Sequence, residues 1–202
     1  MELVLASTSP YRKALLERLQ LDFVCDAPDT DETVQAGESV TDMVVRLAQH
    51  KAEAVASKYP QALIIGSDQS AVLDGKILTK SGNFENAVKQ LQQASGKRVV
   101  FQTGLCLLNT ATGNRQTACV PYTVVFKPLS QAMIENYLKK EEPYNCAGSF
   151  KSEGLGIALF EKFEGEDPNA LIGLPLIKLI TMLENEGFSV LNDVTMKSAN
   201  ER

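Results

Sequence analysis

The chain has 202 residues, 44% hydrophobic and 22% charged, with 20 Lys+Arg against 25 Asp+Glu for a net charge of −5. This is a globular composition, which excludes a disordered or fibrous chain and allows one large domain or two small lobes sharing a core. The acidic balance argues against a nucleic-acid polymer or an anionic membrane as partner, yet it leaves room for a small basic pocket that takes one phosphate ligand.

No apolar run approaches the ~18 residues of a spanning helix. The start, Met1-Glu2-Leu3-Val4-Leu5-Ala6, lacks the basic residues and apolar length of a secretion signal. Residues 3–6 read as a short buried strand. Ser9 and Pro10 then open a helix as cap and first helical residue, with Ala14, Leu15, Leu16 and Leu19 expected on its inner face. Residues 26–38 are polar and acidic and read as a loop. Ser39 and Asp42 resemble a capping box for a second helix to about Ser57, whose apolar positions are Val40, Val44, Leu47 and Val55. Residues 62–65 form a continuous apolar run ending at Gly66, the pattern of a buried strand. Asn83 is placed to cap a helix over residues 84–94 with Ala87, Val88 and Leu91 inward, and Gly96 suits its stop. Residues 99–108 and 117–126 read as a hairpin. Ser130 begins a helix carrying Met133, Ile134, Tyr137 and Leu138. Residues 148–163 mix glycines with short β patterns. Pro175 opens a last helix (Leu176, Ile177, Ile180, Leu183) that stops at Gly187, and residues 192–202 are expected to form a loose polar tail. Alternating strands and helices make the fold class α/β.

Cys25, Cys106, Cys119 and Cys146 are far apart, with no CxxC pair and no histidine beside them. Free thiols in a reducing, cytoplasmic setting are expected rather than zinc or disulfides. His50 is the sole histidine, and no Ser/His/Asp set assembles around it.

The informative residues are cationic and acidic. Ser7-Thr8-Ser9-Pro10-Tyr11-Arg12-Lys13 lies at a helix start, where free amides and the helix dipole attract anions and cations are the wrong sign. A phosphate ligand would explain Arg12 and Lys13 there; a solvated pair facing Glu17 is the alternative. Lys51 shares the apolar stripe of its helix with Leu47 and Val55, so it must snorkel to water or meet an anion in a cleft. Asp68, in Gly66-Ser67-Asp68-Gln69, is placed where ligand sites collect beyond strand ends, as metal ligand, general base, or turn residue. Lys80 is a second phosphate contact or a surface lysine. Asp31-Glu32 offers hard oxygens for a divalent cation, or is simply solvated. Glu153, in a glycine-bounded segment, is placed to line a pocket.

The set resembles the Maf family of nucleoside triphosphate pyrophosphatases, from Leu3 to about Leu191. The matching signposts are residues 6–13, Asp31-Glu32, Arg46-Leu47-Ala48 with Lys51, Gly66-Ser67-Asp68-Gln69, Lys80, Ala147-Gly148 and Ile172-Gly173-Leu174-Pro175-Leu176. The resemblance implies a two-lobed, Maf/ITPase-like fold with a mixed sheet and a central cleft, formed by residues 1–191 as a single domain, and a homodimer. It implies a cytoplasmic hydrolase that splits a nucleoside triphosphate into monophosphate and pyrophosphate with a divalent metal cation, Mg, Mn or Co. By position, Asp68 matches the proton acceptor, Glu32 and Asp68 the metal side, and Ser7, Ser9, Arg12, Lys13, Lys51 and Lys80 the phosphate side.

Tyr11, Gln69 and Phe150-Lys151-Ser152-Glu153 are similar to the branch associated with 7-methyl-GTP, a house-cleaning activity on modified nucleotides. Tyr11 stands where that branch often has Trp, and Ser81 follows Lys80 where the family often has Pro. The chemistry is coherent. N7-methylation makes guanine cationic, which suits an aromatic face. Glu153 offers an acceptor to the base, and Gln69 is expected to offer both a donor and an acceptor. The alternatives are a pyrophosphatase for dTTP, UTP, 5-methyl-UTP or pseudo-UTP, or a nucleotide-binding regulator of septation.

Overall fold

The computed structural model describes residues 1–191; the expected tail, 192–202, lies outside the described residues. The strands are β1 (Glu2–Ala6), β2 (Val24–Asp26), β3 (Ala62–Leu73), β4 (Lys76–Leu78), β5 (Arg98–Asn109), β6 (Arg115–Phe126) and β7 (Phe160–Gly165). The helices are α1 (Pro10–Glu17), α2 (Val40–Ala56), α3 (Phe84–Ala94), α4 (Gln131–Glu141), α5 (Pro168–Ile172) and α6 (Leu176–Asn185), with a 3₁₀ turn at Leu155–Leu159.

One mixed sheet holds everything, in the order β2-β1-β3-β5-β6-β7, with β4 also on β3. β1 pairs parallel with β2 and β3, and the remaining pairings are antiparallel. β3 and β5 are 12 residues each and run through both lobes. In the first lobe, Leu3 and Leu5 of β1 pack with Leu63, Ile65, α1 and α6 on one face. Val4 and Ala6 pack with Ile64, Ala48, Ala52 and Val55 of α2 on the other. Burial on both faces is why β1 and the start of β3 are apolar without alternation. In the second lobe, the far halves of β3, β5 and β6 pack against α3, α4 and a ring cluster of Phe101, Phe126, Phe150 and Phe160.

α2 lies unusually close to the sheet, and two glycines allow it. A Cβ on Gly66 of β3 would overlap the Ala48 carbonyl, and one on Gly104 of β5 would overlap the Val44 carbonyl. Gly104 stands opposite Asp68 in the β3–β5 register. The close approach therefore brings Lys51, one turn past Leu47 on α2, onto the acidic residue of β3.

The caps are as the sequence indicates: Ser9, Ser39, Asn83 and Ser130 each accept from a backbone N–H of the first turn. Several details differ. β2, β4 and α5, of three to five residues, are too short to show a period. Ala14 is exposed, because α1 ends at Glu17 and buries only Leu15 and Leu16. Ile177 is also exposed, since α6 buries the stripe Leu176, Leu179, Met182 and Leu183. The strand expected over residues 62–65 continues to Leu73.

Candidate active site

The site opens where β3 lacks a neighbour. Along one edge, β1 pairs with β3 as far as Ile65, and β3 is next paired at Ala71, opposite Leu78 at the end of β4. Between them, Gly66–Ser70 has a strand partner only on the β5 side. Asp68 is thus mid-strand rather than beyond a strand end, which corrects the expectation from sequence. The ending strand is β1, which turns at Ala6 into Ser7 and leaves a gap beside Asp68.

Lys51 Nζ donates to Asp68 Oδ1 at 2.6 Å and meets Glu32 Oε1 at 2.7 Å. Lys51 is 8% exposed and Asp68 9%. The lysine therefore does not snorkel; it meets anions inside the cleft. Glu32 reaches it from the acidic loop because that loop is stapled to α2. Arg46 pairs with Glu38 through Nε at 2.6 Å and Nη2 at 2.7 Å, and also donates to the Thr33 carbonyl. That fork geometry lowers the Glu38 pKa and raises that of Arg46. Asp31 accepts from the Thr33 amide and hydroxyl, bonds that depress its pKa, and remains exposed outside the cluster.

A chamber of about 390 Å³ is lined by Ser7, Ser9, Arg12, Glu32, Lys51 and Lys80, among others. It faces the start of α1, whose first turn carries no acidic residue. Ser7 is buried and its Oγ accepts from the Ser9 amide. Arg12 Nε donates to the Gly173 carbonyl at 2.9 Å, and Ser67 Oγ donates to the same oxygen at 2.9 Å. Burial lowers the Arg12 pKa, and the charges of Asp68 and Glu32 oppose that shift. The Gly173 carbonyl is set by one buried carboxylate. Asp167 Oδ1 caps α5 at the Asn169 amide, while Oδ2 accepts from the Ile177 amide at the start of α6. Gly173, at φ 119, closes α5 between them, a conformation that a side chain would strain. Lys13 is not in this chamber. It is exposed and 3.8 Å from Glu17, an i,i+4 surface pair, so of the two residues Arg12-Lys13 only Arg12 enters the site.

A second chamber of about 350 Å³ adjoins the first and shares Ser9, Arg12 and Lys80 with it. Tyr11, Gln69, Phe101, Phe150 and Glu153 line it. Tyr11 is 43% exposed, so its ring is available to a ligand. Gln69 differs from the expectation of a donor and an acceptor. Its Nε2 is held by Thr103 Oγ1 at 3.0 Å, the Ala170 carbonyl at 2.6 Å and the Leu171 carbonyl at 3.1 Å. Only its carbonyl oxygen is left to offer. Glu153 is exposed at the rim, bonded to the Ser152 hydroxyl. Its segment is anchored by Phe150, buried edge-on against Phe101, Phe126 and Phe160 at centroid distances of 5.5, 5.5 and 4.9 Å. The turn into Phe150 uses positive φ at Gly148 and Ser149. The Lys151 amide donates to the Tyr137 hydroxyl, and burial pushes the Tyr137 phenol up. Lys151 Nζ pairs with Glu141 at 3.4 Å rather than with Glu153.

The Arg46–Glu38 pair, the Asp167 carboxylate that bridges α5 and α6, and the Thr103–Gln69 contact were not legible in the sequence. The Ser39/Asp42 box marked the start of α2, but nothing local marks a pair eight residues apart across a loop. Asp167 just before Pro168 was a readable cap signal.

A divalent cation fits the donor set in one way. Glu32 and Asp68 present hard oxygens converging on a single point, now taken by the Lys51 ammonium. Among the described residues no group of three or more His, Cys, Asp or Glu is arranged to hold a metal ion. Two carboxylates suit a Mg²⁺-like ion whose other ligands are phosphate oxygens and water, not a zinc cage.

The four cysteines are free, and burial pushes the Cys106 thiol up to about 12. No helix among the described residues is long and apolar enough to cross a membrane. A curated 7-methyl-GTP pyrophosphatase of Pseudomonas syringae pv. tomato is 59% identical to this chain over 188 residues, which cover 93% of this chain and 98% of that protein. The Staphylococcus aureus Ham1 protein matches at a TM-score of 0.52 and 15% identity, over 92% of this chain and 100% of that one, which shows a shared fold. The Maf-like protein family model matches residues 2–186, and the chain belongs to that family.

Proposed function

We propose that the protein hydrolyses 7-methyl-GTP to 7-methyl-GMP and pyrophosphate. The observation that carries this reading is the pair of adjoining chambers. One gathers Arg12, Lys51 and Lys80 at a helix start, and the other gathers an aromatic ring with two acceptors, Gln69 and Glu153. The likeness to the Pseudomonas syringae enzyme supports the substrate class.

Arg12, Lys51, Lys80, the hydroxyls of Ser7 and Ser9 and the free amides of α1 hold the triphosphate and meet its charge. Asp68 orients a water and takes its proton as the water oxygen bonds to the α-phosphorus and the bond to the pyrophosphate oxygen breaks. Glu32 and Asp68 would hold a divalent cation, which when bound supplies neutralising charge at the phosphate oxygens and polarises water. With a cation there, Lys51, which holds that point in this structure, would pair with the phosphates instead. Tyr11 faces the cationic methylated ring. Glu153 and the Gln69 carbonyl accept from guanine's N–H edge. We place the enzyme in the cytoplasm as a homodimer, a reading supported by its four free thiols and the family resemblance. Size-exclusion chromatography with light scattering reads the assembly.

The test is pyrophosphate release from 7-methyl-GTP, GTP, UTP, 5-methyl-UTP and dTTP, with Mg²⁺, Mn²⁺, Co²⁺ or a chelator. Release greatest from 7-methyl-GTP and lost with the chelator is expected. Release greatest from a pyrimidine nucleotide would overturn the substrate assignment.

A further inference from the structure

We infer that Thr103 is a positioning residue that locks the Gln69 amide with its carbonyl toward the base, making Gln69 a reader of N–H donors only. This deepens the base-chamber reading above and rests on it. Gln69 and Thr103 face each other directly in the β3–β5 register, and Thr103 is fully buried. The Thr103 hydroxyl donates its one proton to the Ala170 carbonyl at 2.8 Å. Its oxygen is then free only to accept, and it accepts from Gln69 Nε2 at 3.0 Å. The carbonyls of Ala170 and Leu171 complete the surroundings of that nitrogen at 2.6 and 3.1 Å. All three neighbours are acceptors. Turning the amide over would set its oxygen against two carbonyl oxygens and a hydroxyl whose proton is already committed. That leaves lone pairs facing lone pairs in a buried place, a costly arrangement.

The consequence is chemical. The end of Gln69 left to the chamber is an acceptor, and the ionised carboxylate of Glu153 is also an acceptor. The pair matches a base edge with adjacent imino and amino N–H groups. A uracil-type edge has one N–H between two carbonyls and would place oxygen against oxygen. A 7-methylated hypoxanthine base keeps the imino N–H and lacks the amino group, so it isolates the second donor. The Thr103 bond also ties β5 to α5, so its loss loosens the carbonyls as well as removing one acceptor.

The experiment compares kcat/KM for 7-methyl-GTP and 7-methyl-ITP in wild type, Thr103→Val and Thr103→Ser. It also follows exchange of the Gln69 side-chain amide by NMR in the ligand-free protein. Thr103→Val is expected to narrow the preference for the amino-bearing base roughly fivefold, the scale of one neutral hydrogen bond, mainly through KM. It is expected to speed exchange of the Gln69 amide, and Thr103→Ser is expected to restore both. An equal loss on both nucleotides, or an unchanged ratio, would overturn the positioning role. Amide exchange in Thr103→Val as slow as in wild type would overturn the lock itself. Wild type releasing no pyrophosphate from either nucleotide would instead overturn the proposed function, with the lock still read by NMR.

Discussion

The two chambers are built in different ways. In and beside the phosphate chamber three charges stand on regular structure, Asp68 on β3, Lys51 on α2 and Arg12 in the first turn of α1, while Glu32 and Lys80 reach in from loops. In the base chamber, Glu153 stands on an irregular segment held by the buried Phe150 ring and the Lys151 contacts, and Gln69 is aimed by the carbonyls of a five-residue helix. Charge must be placed within a few tenths of an ångström to act on a reacting phosphate, and strands and helices hold it so. Recognition of a base tolerates a mobile rim, which is where loop variation changes substrate without touching the reaction.

The comparison breaks most sharply at Asp68. Asp68→Asn is expected to lower kcat by about 10²–10⁴-fold, the usual worth of a general base, with nucleotide binding measured by calorimetry largely kept. Substantial turnover in this variant would move the chemistry elsewhere. Next comes the scaffold. Gly104→Ala puts a Cβ into the Val44 carbonyl and pushes α2 off the sheet. A loss of about 3 kcal/mol in urea unfolding is expected from overpacking against backbone. Unchanged stability would show that α2 shifts freely, and the Lys51–Asp68 contact would then need another explanation.

The base chamber is expected to respond more gently. Glu153→Gln removes an exposed charge, so the preference for 7-methyl-GTP over GTP should fall about threefold, the scale of a solvated charge contact, with kcat unchanged. An equal loss on both nucleotides would show that Glu153 does not sense the charge of the methylated ring. The smallest effect lies outside both chambers. Glu164, bonded to Arg98 and Lys162, has its pKa lowered to about 2. Its folded value lies below the ordinary carboxylate value, so its contribution to stability is present above pH ~4.5 and fades as pH falls toward 2. Arg98→Met should return the Glu164 titration toward the ordinary range by NMR and leave nucleotide hydrolysis at pH 7 unchanged.

Much of the fold was legible because it rests on local signals. Ser9-Pro10, Ser39 with Asp42, Asn83 and Ser130 mark four helix starts by chemistry that acts within one turn. The hairpin of β5 and β6 shows in its own apolar pattern and turn residues. β2, β4 and α5 escaped because three to five residues carry no period. Of the site, Lys51 stood out as a charge on an apolar stripe, and Asp68 as an acid after a buried run. The direction of Gln69 did not, because its partners lie 34 to 102 residues away.

By itself, then, the sequence determined the five longer helices, most of their apolar positions and which residues carry charge, since propensity, capping and burial pattern act over a few neighbouring residues. Only the tertiary structure decided that β1 stops short of β4, that two glycines let α2 bring Lys51 onto Asp68, that Lys13 stays outside with Glu17, and that the Gln69 amide turns its oxygen outward. Each of these depends on the distance and orientation between segments far apart in the chain. Coulomb and hydrogen-bond energies are steep in those variables, and no local pattern encodes them.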